Sequence, residues 1–176
     1  MQTAASYEQA VSRRFPEQIA IAIAKDARGK HNPITLGWIM LTSHEPPMMA
    51  IAVGKARYSL GAIRQAGEFV ISFLSSKMAE DALFHGTKSG AEMDKLAECG
   101  TKTQPATGID SVLLADAVAN FECKLAGELE TGDHIILVGR VVASHMHQDP
   151  AVRRLYSLGN EQLGGAAAEK RDVSGS

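Results

Sequence analysis

Three clusters of small, hydroxyl-bearing and cationic residues interrupt a largely apolar chain. They are Asn32–Trp38 (NPITLGW), Lys55–Ser59 (KARYS) and Gly86–Lys95 (GTKSGAEMDK). Backbone N–H groups, hydroxyls and a guanidinium or ammonium are the groups that bind phosphate. Arg57 and Ser59 stand where a helix is predicted to begin, and a helix N-terminus favours an anion. Lys88 and Ser89 add a second cation and hydroxyl. Thr35–Gly37 offers small residues and backbone amides to the edge of a flat ring. Together the clusters describe a site for a phosphate-bearing aromatic ligand. Each also has an ordinary structural account: Gly37 as a bulge, Trp38 as a core residue, Ser59 as a helix cap, GTKSG as a solvated loop.

Other chemistry is missing from the sequence. It has no Gly-x-Gly, so the dinucleotide fingerprint is absent, and no Walker pattern, G-x-S-x-G, HExxH or CxxC. Redox chemistry would need an imported cofactor. His145 and His147 straddle Met146 and would share a strand face, but no third ligand is in view. The reading is therefore no metal. Cys99 and Cys123 fit neither a disulfide framework nor a zinc knuckle by spacing, and read as inert reduced thiols of a cytoplasmic protein.

The elements that must position the clusters are mostly strands. Ile19–Lys25 (IAIAIAK) alternates large and small residues, a strand with something packed close on its alanine face. Asp26–Pro33 is turn chemistry, and Ile34–Leu41 (ITLGWIML) reads as the returning strand. Ser43–Pro47 breaks the chain, and Met48–Val53 is a further strand. A short helix within Lys55–Gly67 ends at Gly67. Phe69–Leu74 reads as a strand buried on both faces. Lys77–Ala97 is helical in pieces, and Gly100–Asp110 is a connector. Val118–Leu129 and His134–Met146 form a long hairpin through Thr131–Gly132–Asp133. Strands that do not alternate one for one with helices favour an antiparallel barrel or sheet. The expected layout is one domain over 1–163 and a flexible C-terminal tail over 164–176.

The chain has 176 residues, 45% of them apolar and 22% charged, with a formal charge of −2. These are the proportions of one soluble domain. The longest run free of Asp, Glu, Lys and Arg is His31–His44, too short to span a bilayer. With one Trp, three Tyr, five Phe and no basic patch, a nucleic-acid partner is not expected.

The segments FP…IAIAIAKDARGKHNPITLGW, EPPMMAIAVGKARYSLGAI, GEFVISFLS, GTKSGAEMDKLAECG and FECKLAGELETGDHIILVGRVV appear in this order. In that series the chain resembles the flavin reductase-like family of FMN-binding split β-barrels, in particular its flavoredoxin-like branch. The resemblance implies a mainly β fold with inserted helices, a six-stranded antiparallel split barrel of Greek-key character. It also implies a homodimer holding FMN near the interface. Asn32, Thr35, Leu36, Gly37 and Trp38 would then lie along the isoalloxazine, with Ala52 and Val53 at the strand end beside it. Arg57, Tyr58 and Ser59 would face the ribityl phosphate, Lys88 and Ser89 would complete that end, and Lys95 would neutralise charge nearby. His134, in the segment GDHIILVG, matches the family's Gly-Asp-His signature. It would line the flavin or substrate side as the candidate catalytic proton donor. The implied activity is NAD(P)H-dependent flavin reduction, with NADH or NADPH as donor and a partner oxygenase or redox protein as recipient. The alternative is an FMN-binding electron carrier reduced by a protein partner. The chain departs from the pattern at Ala91, where relatives carry Arg. In LYSLGNEQLGG the family's C-terminal Tyr/Gly segment is only partly present.

Overall fold

The computed structural model describes residues 1–159 and 162–165. In chain order the first elements are α1 (Tyr7–Val11), β1 (Glu17–Gln18), β2 (Ala20–Lys25), β3 (His31–Leu36), β4 (Ile39–Ser43), β5 (Met48–Gly54), α2 (Tyr58–Ala66) and β6 (Glu68–Phe73). Then come α3 (Ala79–Thr87), α4 (Lys95–Cys99), β7 (Thr103–Pro105), β8 (Val112–Leu114), β9 (Ala119–Thr131), β10 (His134–Met146), β11 (Leu155–Gly159) and β12 (Gln162–Gly165). Among the described residues no helix is long and apolar enough to cross a membrane.

Seven strands form one antiparallel sheet in the order β3-β2-β6-β9-β10-β5-β4. Its two edges, β3 and β4, are consecutive in the chain and joined only by Gly37 and Trp38. Consecutive Cα atoms are about 3.8 Å apart, so this link can span only about 11 Å. The sheet must therefore curl until its edges come close, and Trp38 O, which accepts the Ala52 N–H at 3.0 Å, extends the β4–β5 ladder right up to the link. The result is a split barrel. β5 and β6, consecutive through α2, flank the β9–β10 hairpin, which is the crossed connection of a Greek key.

The alanine face of β2 (Ala20, Ala22, Ala24) lies in one buried cluster with Leu60 and Ile63 of α2, where small side chains let the helix approach. Phe69 fills the same interior, and Gly139 lies beneath it: a Cβ there would come within 2.7 Å of Phe69 and Cys123. The isoleucine face of β2 (Ile19, Ile21, Ile23) packs outward against Val70, Leu74, Ala82, Leu113 and Leu155.

Three expectations change. ITLGWIML is two strands, because closing the barrel hands the chain from one edge to the other at Gly37–Trp38; the predicted six strands become seven. The 100–110 connector contributes β7, which pairs with β8 in a small separate sheet. β12 pairs with β11 and carries the ordered fold to Gly165, past the expected boundary at 163. The remainder of the predicted tail, 166–176, lies outside the described residues.

The same face of β9 that carries Lys124 buries Glu122 completely. Its carboxylate accepts from Thr107 N at 2.9 Å, Thr107 Oγ1 at 3.0 Å, Gly108 N at 2.6 Å and His145 Nε2 at 2.6 Å. This is where one histidine of the sequence pair is spent; His147 Nδ1 accepts from Asp149 N at 3.0 Å. Glu122→Ala leaves these donors unpaired and is expected to cost about 2–4 kcal/mol in urea unfolding. A loss below about 0.5 kcal/mol would show that the 106–111 loop is held by other contacts.

Candidate functional site

The turn after β5 brings the chain into α2 through Arg57, whose N–H bonds Gly54 O at 2.9 Å. Arg57 is the N-cap, and no side chain caps the helix, so its first amides face outward without an internal acceptor. Ser59, the second residue of the helix, is buried, and its Oγ accepts from Asn32 Nδ2 at 2.7 Å. With that lone pair used, the hydroxyl proton is available to donate.

These groups line a cavity of about 110 Å³. Three cations, Arg57, Lys88 and Lys95, also line it, and no carboxylate does. Lys95 is only 3% exposed, and its hydrogen bond is to a carbonyl, His85 O at 3.2 Å. Burial, reinforced by Arg57, pushes its amine down to about 8. Burial, followed by the Lys95 charge, likewise pushes His85 down to about 4. A buried ammonium without a counter-ion is costly unless an anion joins it.

One wall of this cavity is clamped from the β2–β3 turn. Asp26, buried, accepts from Arg28 N at 2.9 Å, Lys30 N at 3.0 Å, Arg28 Nη2 at 2.7 Å and Tyr58 Oη at 3.0 Å. Burial works against its charge, but these donors overcome it and hold the carboxyl at about 2. The Arg28 guanidinium also donates to Gly90 O and to Ala91 O, the latter at 3.2 Å. The loop after α3 is thereby fixed against Asn32: a Cβ on Gly90 would collide with Asn32 Oδ1.

A second cavity, about 180 Å³, adjoins the first and shares Ile34 and Arg57 with it. The end of β3 with the link that follows it (Thr35–Trp38), the end of β5 (Ala52–Gly54) and His134 line it. Thr35 Oγ1 donates to Ala82 O at 2.7 Å, tying β3 to α3. Trp38 is 49% exposed, and its ring lies 4.5 Å from that of His134. His134 Nδ1 donates to Asp133 Oδ1 at 2.7 Å. Its Nε2 faces Gly54, 3.6 Å from where a Cβ would stand.

The structure thus brings the predicted residues together at two ends of one site. Arg57, Tyr58, Ser59, Lys88, Ser89 and Lys95 line the cationic cavity. Thr35, Leu36, Gly37, Trp38, Ala52, Val53 and His134 line the other. Asn32 lines neither and stands behind Ser59. Trp38 is not a core residue, and Ser59 is not the helix cap. Sequence reasoning did not single out Asp26, Arg28, His85 or Gly90. Only the turn chemistry of Asp26–Gly29 signalled the first two.

The geometry defines a split β-barrel with a cationic cavity at one end of the site and a cavity lined by strand ends at the other. The comparisons agree. Residues 12–160 match the family model described as flavin reductase like domain, and the chain belongs to that family. An FMN-binding protein from Thermus thermophilus superposes with a TM-score of 0.84 at 22% identity, over 97% of this chain and 99% of that one. Flavoredoxin of Desulfovibrio vulgaris (Miyazaki F) also gives 0.84, at 18% identity over 99% and 98%. Flavin reductase (NADH) of Kitasatospora aureofaciens is 28% identical over 130 residues, 73% of this chain and 65% of that protein. Other curated relatives are likewise spanned only in part, over 64%, 64% and 54% of their length.

Two outcomes are expected. Gly90→Ala destabilises by about 1–3 kcal/mol, and Asn32→Ala in the same chain recovers most of it, a coupling visible in a double-mutant cycle. Because the Asp26 pKa is depressed, its contribution is present above the unfolded value of 3.8 and fades as pH falls toward about 2. Asp26→Asn removes about 2 kcal/mol at neutral pH and flattens stability across that acid range, measured by denaturant titration at each pH.

Proposed function

We propose that the protein binds FMN across the two adjoining cavities and oxidises NADH or NADPH with hydride transfer to the flavin. The observation that carries this reading is the cationic cavity. Its three positive side chains, its buried Lys95 without an acid partner among the described residues and its uncapped helix start match a phosphate monoester. The neighbouring cavity matches a ring whose edge meets backbone. FMN supplies the hydride-accepting chemistry when bound. Lys95, Arg57 and Lys88 offset the phosphate charge, and Ser59 donates its hydroxyl proton. The Thr35–Trp38 backbone lies along the ring edge, where donors stabilise developing negative charge. His134, oriented by Asp133 through Nδ1, presents Nε2 toward the ring end. Hydride transfer itself needs no general acid or base, so His134 is not required for that step.

Support for a homodimer comes from β4, an edge strand on which Met40 and Leu41 are exposed together beside Trp38. The two free cysteines fit the reducing cytoplasm. The named flavin reductase relative favours an enzyme; a partner oxygenase or redox protein would then take the reduced flavin.

Ser59→Ala and Lys95→Met are each expected to weaken FMN by about 10–100-fold in fluorescence titration. Riboflavin, which lacks the phosphate, should change by less than about threefold. Equal losses for both ligands would overturn the phosphate assignment. With FMN added, absorbance at the nicotinamide band should fall on addition of NADH or NADPH. FMN binding without consumption of either would favour the electron-carrier alternative.

A further inference from the structure

Beside the cationic cavity, whose lining includes His85, lies a second constellation that the flavin reading does not use. Asp81 and His85 stand one turn apart on α3, and Cys99 ends α4 opposite them. One ligand atom from each lies within 4.8 Å of the others. Gly100, at a φ of +69°, reverses the chain and returns Thr101 to the same place. The Thr101 hydroxyl donates to Asp81 Oδ1 at 2.5 Å and lies 2.9 Å from His85 Nε2, while Cys99 Sγ is 3.9 Å from Asp81 Oδ1.

The protons in this cluster can be assigned. Thr101 gives its one hydroxyl proton to the carboxylate, so His85 Nε2 must be the donor toward Thr101. The remaining nitrogen, Nδ1, is then a bare lone pair. It is buried and has no partner, and His85 itself is 1% exposed. Asp81 has no Lys, Arg or His cation within salt-bridge distance among the described residues. A half-covered carboxylate, an imidazole with one unsatisfied nitrogen and a thiol share one small volume, and the Lys95 ammonium that reaches them bonds the His85 carbonyl and not the carboxylate.

We propose that Asp81, His85 and Cys99 form a binding site for a zinc-like divalent cation, with the Thr101 hydroxyl or a water as the fourth ligand. The donor set of sulfur, nitrogen and oxygen is that of tetrahedral Zn²⁺ or Co²⁺. Bonds of about 2.0–2.3 Å at tetrahedral angles put donors about 3.3–3.8 Å apart, so small side-chain shifts close the cluster around an ion. Charge balances: the ion meets one carboxylate and one thiolate, the Cys99 thiol proton is released to solvent as the sulfur–metal bond forms, and the His85 ring proton moves from Nε2 to the unpartnered Nδ1 so that Nε2 can bind. The ion would tie α3, which leads into Lys88 and Ser89, to α4, which begins with Lys95.

The test needs no flavin, so its outcome is independent of the FMN reading. Reduced, flavin-free protein is titrated with CoCl₂, followed by competition with ZnCl₂. One equivalent should produce a thiolate-to-cobalt charge-transfer band and the intense visible bands of a tetrahedral ion, and zinc should abolish both. Cys99→Ser should remove the charge-transfer band and weaken Zn²⁺ by more than the roughly 10–100-fold typical of lost supporting contacts. Asp81→Asn should weaken Zn²⁺ without abolishing the band. Cys123→Ser should keep both signals. The proposal is overturned if cobalt gives no charge-transfer band, if the band survives Cys99→Ser, or if the folded wild type binds no zinc in equilibrium dialysis.

Discussion

The architecture turns on a two-residue span. Gly37 and Trp38 connect the opposite edges of a seven-stranded sheet, so the sheet has no freedom to stay open. Closure places the ends of β3 and β5 side by side. The helix that follows β5 packs on the alanine face of β2 and sets its uncapped start beside them. Both cavities lie along this seam. A site built there inherits its rigidity from the barrel wall and leaves recognition to loop and strand-end backbone.

Electrostatics divides the cations near the seam into two groups. Arg28 is neutralised by Asp26 and spends its guanidinium on fixing Gly90 and Ala91, so it frames the cavity without charging it. Arg57, Lys88 and Lys95 line the cavity with no carboxylate in its lining among the described residues. The separation matters because a cation already paired with a carboxylate offers little to an incoming phosphate, whereas an unpaired buried one gains most from it. At Ala91, where the family resemblance leads one to expect an arginine, the guanidinium of Arg28 rests on the backbone instead.

Much of this was legible in the sequence where the signal is local. The alternation of IAIAIAK gave both the strand and the close packing on its alanine side. The Thr131–Gly132–Asp133 turn located the long hairpin, and Gly67 marked the end of α2. The three polar clusters do converge, as their composition suggested. What was hidden depends on distant partners. The apolar run ITLGWIML has no internal sign of a break, since only barrel closure splits it. Glu122 lies on a face with Lys124 and looks solvent-facing until the 106–111 loop covers it. Arg28 reads as turn chemistry because the carbonyl it holds is 62 residues away. The expected no-metal reading weighed His145 and His147, neighbours in sequence. The constellation of Asp81, His85 and Cys99 spans two helices and has no spacing to recognise.

The contrast between the two sulfurs has a practical side. Cys123 is sealed beneath Phe69 and Gly139, and burial, with the nearby Glu122 charge, pushes its thiol up to about 12. Cys99 is partly open to solvent. The natural chain therefore carries a single attachment point for a fluorophore or spin label, already seated at the end of the helix that supplies Lys95. Motion of that helix can be followed without engineering a cysteine.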